Sequence, residues 1–131
     1  MTHSLRLAAL LCLLCAPATA QEVDCANAMA QQELNICAEQ DWQKADIALN
    51  ITYKEVMAEM KAMDEGLPEE LQGAEAALRE AQRAWVAFRD ANCEAAGFEM
   101  RGGSAEALLV YGCLRRMTVD RTQELAELNQ F

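Results

Sequence analysis

Ala81-Gln-Arg-Ala-Trp-Val-Ala-Phe-Arg-Asp-Ala-Asn-Cys93 gathers two large aromatics, two arginines, a carboxylate and a cysteine on one short stretch of chain. Trp85, Phe88 and Asn92 continue a 3-4-3-4 spacing that begins at Leu71, Ala74, Leu78 and Ala81. That period places one apolar stripe on a helix of about eight turns, with Arg89 and Asp90 beside the stripe. A tryptophan inside such a stripe is more often a core anchor than a platform for a ligand, so Trp85 is assigned to the core.

Upstream, Leu34, Ala38, Trp42, Ala45, Leu49, Thr52, Val56, Met60 and Met63 recur at three and four from about Ala30. This predicts a long first helix. Asp64-Glu-Gly-Leu-Pro68 breaks it, with Gly66 suited to the C-terminal cap and Pro68, Glu69 and Glu70 suited to the first turn of the second helix. Downstream, Gly97-Phe-Glu-Met-Arg-Gly-Gly-Ser104 is a second break, and Ser104 is a candidate N-cap. A third helix then turns Leu108, Leu109, Leu114, Met117, Leu125 and Leu128 towards the core. No strand pattern and no repeat occurs, so the expected fold is all-α, a three-helix antiparallel bundle.

Counting helical rise from the shared end of the bundle pairs inner polar residues by height. Asp46 and Arg121 each lie about sixteen residues into their helices, roughly 24 Å along, which predicts an Asp46–Arg121 ion pair. The same count sets Glu33 near Arg89. Both pairs are expected to be structural.

The first twenty residues have the layout of a secretory signal peptide, with an apolar segment from Leu7 to Ala16 and small residues at Ala18-Thr-Ala20 before Gln21. The mature domain is then 21–131. The apolar segment is too short to span a bilayer, and none later is longer, so no membrane insertion is expected after cleavage. Leu14 before Cys15 argues against a lipoprotein site. Cys12 and Cys15 depart with the signal, leaving Cys25, Cys37, Cys93 and Cys113. Four cysteines in a small exported chain predict two disulfides, with three possible connectivities. Zinc is disfavoured because no Cys-x-x-Cys occurs among these four and the single histidine, His3, lies in the signal.

Removing Arg6 with the signal leaves 10 basic against 21 acidic residues, a net charge of −11. Nucleic acid is therefore excluded as a partner class. A cationic protein fits, because opposite charge speeds encounter, although such a charge also serves solubility alone. The mature chain has no histidine, and its one serine is Ser104. Ser–His or Cys–His catalysis lacks its base, and no enzyme and no cofactor are expected.

Cys25, Glu33-Leu-Asn-Ile-Cys37-Ala, Asp46-x-x-Leu49-Asn50-x-x-Tyr53, Gln82-Arg-Ala-Trp85-x-x-Phe88-Arg89-Asp90-Ala-x-Cys93, Gly102-Gly-Ser104, Cys113 and Thr118-x-x-Arg121-x-x-x-Leu125 occur in that order. This set resembles the lysozyme inhibitor LprI N-terminal domain family across nearly the whole mature chain. Ala30 departs from it, since the family often has a threonine there. The resemblance implies an exported, helical, disulfide-bonded domain. It also favours local bridges, Cys25–Cys37 and Cys93–Cys113, because some relatives hold their second cysteine pair close in sequence. It further implies a periplasmic protein that binds and inhibits a cationic lysozyme, with an acidic surface between Glu55 and Glu80 speeding encounter. On this reading the 97–104 loop, through Phe98, Met100, Arg101 and Ser104, blocks the enzyme's cleft. The alternative is a periplasmic interaction or scaffolding domain that binds another envelope protein, with the glycines only turning the chain.

Overall fold

A computed structural model describes residues 22–128. The signal-peptide assignment to residues 1–20 lies outside the described residues. Three helices form the domain: α1 (Gln31–Glu65), α2 (Ala74–Gly97) and α3 (Glu106–Leu128). Two 3-10 turns, Glu69–Leu71 and Phe98–Met100, sit in the connections, and no strand occurs among the described residues. α1 and α2 are the antiparallel hairpin, and α3 returns along α1, so the expected three-helix bundle is what forms.

α1 starts where Glu33 reaches back to its own N-terminus. Its Oε2 accepts from the backbone N–H groups of Met29 and Ala30, each at 3.2 Å. Ala30 holds the N-cap position without a side chain that could cap. Glu33 thus satisfies donors that a threonine there would leave to it in any case. At the other end Gly66 closes α1, its N–H donating to the Ala62 carbonyl at 3.2 Å.

The hairpin differs from the sequence expectation. Pro68 precedes the short 3-10 turn rather than opening α2, which begins only at Ala74. Leu71 therefore leaves the stripe and lies exposed. Asp64 reaches across the turn to cap α2 instead, accepting from the N–H groups of Gly73 (2.8 Å), Ala74 (2.9 Å) and Glu75 (3.0 Å). Gly73 adopts φ 147°, a conformation that suits glycine and sets this approach.

The core has two parts. Towards the hairpin, Leu49, Val56, Leu78 and Leu125 are buried, with Tyr53, Met57, Met60 and Trp85 packed against them. Towards the opposite end, Cys93, Cys113 and Leu114 are buried beneath Trp42, Val110, Tyr111 and Met117. Both bridges are the local ones, Cys25–Cys37 and Cys93–Cys113. The first folds the N-terminal segment onto α1, and the second ties α2 to α3 across their connecting loop.

Gly97 marks the closest approach of the end of α2 to α3. It is buried, and a Cβ built on it would stand 2.6 Å from Cγ2 of Val110. Close approach of α2 to α3 needs a hydrogen here. Gly97→Ala is expected to lower stability by about 1–3 kcal/mol in chemical denaturation, because the overpacking must be relieved by shifting α3.

The three N–H groups of Gly73, Glu75 and Ala74 hold the Asp64 carboxyl below its ordinary value of 3.8. A lowered folded-state pKa contributes stability that is present above the unfolded value and is lost as pH falls through the folded one. Asp64→Ala is expected to lower the melting temperature at pH 7, and the gap from wild type is expected to narrow as pH drops below about 4.

Candidate partner-binding surface

The loop end of the bundle is organised around one guanidinium. Arg89 falls on the inner face of α2, four residues after Trp85 and four before Cys93, and its side chain is only 8% exposed. Its Nη1 donates to Asp46 Oδ1 on α1 at 3.2 Å and to Thr118 Oγ1 on α3 at 3.4 Å. Its Nε donates to Asp90 Oδ1 at 2.8 Å. One side chain therefore joins all three helices.

Aromatic rings stack along the same line. The Arg89 Cζ lies 5.1 Å from the Trp85 ring centre and 5.9 Å from that of Trp42. Arg121 stands 5.9 Å from Trp85, and Trp42 stacks on Tyr111 at 5.7 Å. The result is a ladder of Tyr111, Trp42, Arg89, Trp85 and Arg121, in which planar cations alternate with rings from Trp42 onward. Burial, with the Glu39 carboxylate beside it, pushes the Tyr111 phenol upward, so this rung stays neutral.

These contacts correct both predicted pairs. Asp46 meets Arg89, not Arg121, whose Nε donates to Gln82 Oε1 at 3.1 Å and whose Nη1 pairs with Glu124 at 2.9 Å. Glu33 caps α1 and does not meet Arg89. The cause is the offset between helix starts. Asn35 bonds the Ser104 carbonyl at 2.8 Å, and Trp42 stacks on Tyr111, so a residue of α3 lies level with the α1 residue 69 positions earlier. Arg121 is thus level with Thr52, about 9 Å beyond Asp46. α2, with 24 residues against 35 in α1, ends well short of Glu33.

Phe88 also departs from its assignment. It is 61% exposed, since Arg89 takes the inner position that the stripe offered to an apolar residue. The sequence signal that could have shown this is the Trp85-x-x-x-Arg89-x-x-x-Cys93 series, whose spacing of four is a single helix face.

Beyond the ladder the chain turns through the loop. Phe98 and Met100 project, 56% and 48% exposed. Arg101 lies over the Phe98 ring at 4.5 Å and bonds Glu106 Oε1 at 2.7 Å. The Glu106 carboxylate also accepts from the Gly102 N–H at 2.7 Å, and that donor chiefly holds its pKa down. Ser104 does not open α3: the Leu109 N–H donates to the Ala105 carbonyl, and the bonded group of Ser104 is its carbonyl, held by Asn35. The four loop residues named from the sequence are therefore neighbours on one short, internally tied turn.

Beside the loop a cavity of about 270 Å³ opens between the helices. Trp42, Val110 and Leu114 form its apolar wall, Arg89 and Asp90 bound it, and Glu94 and Glu106 stand with them. Among the described residues no cluster of metal-ligating side chains occurs.

The sequence family described as lysozyme inhibitor LprI matches residues 24–125, which takes in the ladder, both disulfides and the loop. The chain belongs to the lysozyme inhibitor LprI family. An uncharacterized protein of Rhizobium meliloti (strain 1021) is 54% identical over 127 residues, covering 92% of this chain and 91% of the relative. No solved structure matches the chain significantly. The family is thus one named for inhibition rather than for catalysis.

Arg89→Ala is expected to cost about 3 kcal/mol in chemical denaturation, since it strands Asp46 and Thr118 and opens the ladder. Arg89→Lys is expected to recover only part, because an ammonium supplies neither the fork nor the plane. Phe88→Ala, one residue away on the exposed side, is expected to stay within about 0.5 kcal/mol of wild type.

Proposed function

We propose that the domain is exported to the periplasm, binds a cationic lysozyme and blocks its substrate cleft with the 97–104 loop. The observation that carries this reading is the family match together with the loop's build. Phe98, Met100 and Arg101 form an exposed apolar and hydrogen-bonding tip on a base held by Cys93–Cys113 and by the Arg101–Glu106 pair. A tip already ordered before contact loses little entropy on binding. Two disulfides accord with an oxidising compartment. The domain's net negative charge speeds the approach of a cationic enzyme, and the loop supplies the short-range contact.

Residues 21–131 titrated against a cationic lysozyme digesting bacterial cell walls are expected to give stoichiometric loss of lysis that persists at physiological salt. The double variant Phe98→Ala, Arg101→Ala is expected to need at least tenfold more protein for the same loss. Unchanged inhibition by that variant would remove the loop from the mechanism. No inhibition of several lysozyme classes at micromolar excess would leave the domain a binder of another envelope protein.

A further inference from the structure

The cavity between Trp42 and the α2–α3 carboxylates has features that the loop contact does not use. Its volume of about 270 Å³ is just below the range of small-molecule sites, about 300–1,000 Å³, and suits a single long side chain. Its wall of Trp42, Val110 and Leu114 would cover an aliphatic stem, while Asp90, Glu94 and Glu106 line the same cavity with carboxylates that would attract a charged head. Arg89 is the one cation among the lining residues, and it is engaged by Asp46 and Asp90. Glu106 is engaged by Arg101. Glu94 is thus the lining carboxylate with no cation paired to it among the described residues.

One further observation bears on a guest. The walls are fixed in advance: Cys93–Cys113 clamps α2 to α3 beside the cavity, and the Arg89 bonds set the level of all three helices. Carboxylates beside a low-dielectric wall focus their field into the concave space.

We propose that this cavity receives a basic side chain, arginine or lysine, from the cationic protein partner, with its stem on Trp42 and its head on Glu94. The inference rests on the reading of the partner as a cationic protein and adds a second anchor beside the loop tip. The loop and cavity are joined through Glu106, which bonds Arg101 on one side and lines the cavity on the other. A partner that reaches the tip would therefore present its neighbouring basic residue to Glu94.

The test separates cavity from partner. In nitrogen-15 spectra of residues 21–131, titration with N-acetyl-arginine amide is expected to shift the Trp42 indole signal and the Glu94 amide saturably. Glu94→Arg is expected to abolish both shifts. In parallel, Glu94→Arg is expected to weaken binding to a cationic lysozyme at least tenfold. Glu127→Arg, the same charge change on the exposed last turns of α3, is expected to weaken it less than twofold. Equal losses from the two reversals, or no saturable shift at Trp42 with the arginine probe, would overturn the proposal even if lysozyme is inhibited. Shifts with the probe but no lysozyme binding would uphold the cavity as a basic-side-chain site and refute the lysozyme reading instead.

Discussion

The Arg89 guanidinium is the point at which the three helices agree on their relative heights. Asp46, Thr118 and Asp90 take its donors, while Trp42 and Trp85 lie against its faces. Burying a charge in this way adds little net stability compared with a well-packed apolar residue of similar size, because desolvation offsets most of the attraction. What it adds is discrimination. Sliding α1 by one turn moves Asp46 about 5.4 Å along the axis, beyond reach of a guanidinium that has no water to turn to. An apolar contact such as Val56 against Leu125 would tolerate such a slip far better, since hydrophobic packing is not directional.

That discrimination matters because the apolar core is thin and divided. The hairpin part is a short column of Leu49, Val56, Leu78 and Leu125, and the loop part has only Leu114 beside the buried cystine. A small domain buries a modest fraction of its surface and benefits from covalent staples. Both bridges lie towards the loop end, where aliphatic burial is poorest. Cys93–Cys113 closes a 20-residue separation, for which chain entropy in the unfolded state corresponds to about 3 kcal/mol. The hairpin end instead relies on the Asp64 cap and its leucines. The two ends are therefore stabilised differently, by covalent bridges and the Arg89 contacts at one and by a carboxylate cap over an apolar column at the other.

Much of this was legible in the sequence, and the part that was not has a single source. Helix identity followed from periodicity: Leu49, Val56, Leu78, Leu114 and Leu125 are all buried where the spacing of three and four put them. The two bridges were legible as a number from Cys25, Cys37, Cys93 and Cys113, and their pairing only from the family resemblance. Height was not legible. Rise per residue is fixed, but where each helix begins relative to its neighbour depends on the connections. Here a 3-10 turn delays α2, and the Asn35–Ser104 contact sets α3 about six residues in from the start of α1. That offset reassigned Asp46 from Arg121 to Arg89 and left Glu33 beyond the reach of α2. Phe88 and Arg89 were exchanged for a related reason: hydrophobicity alone gives the inner place to Phe88, whereas two flanking tryptophan faces and an aspartate make it favourable for a guanidinium.

The same arrangement makes the loop end, rather than the hairpin, the end whose side chains are ordered by the polar contacts of the fold. A binding surface gains from side chains that are ordered before contact, and order there comes from groups that also carry the fold. Glu106 closes the loop through Arg101 and the Gly102 N–H, and Asn35 fixes the following carbonyl. Gly97 lets α2 approach α3 closely enough for the cystine between them. Each of these is a short-range constraint on residues 97–106, and none depends on the leucine column at the far end. Sequence change at the hairpin can therefore alter stability without altering the geometry of the loop. Changes at Arg89 or Gly97 alter both together, because the ladder and the helix crossing set the base on which Phe98, Met100 and Arg101 stand.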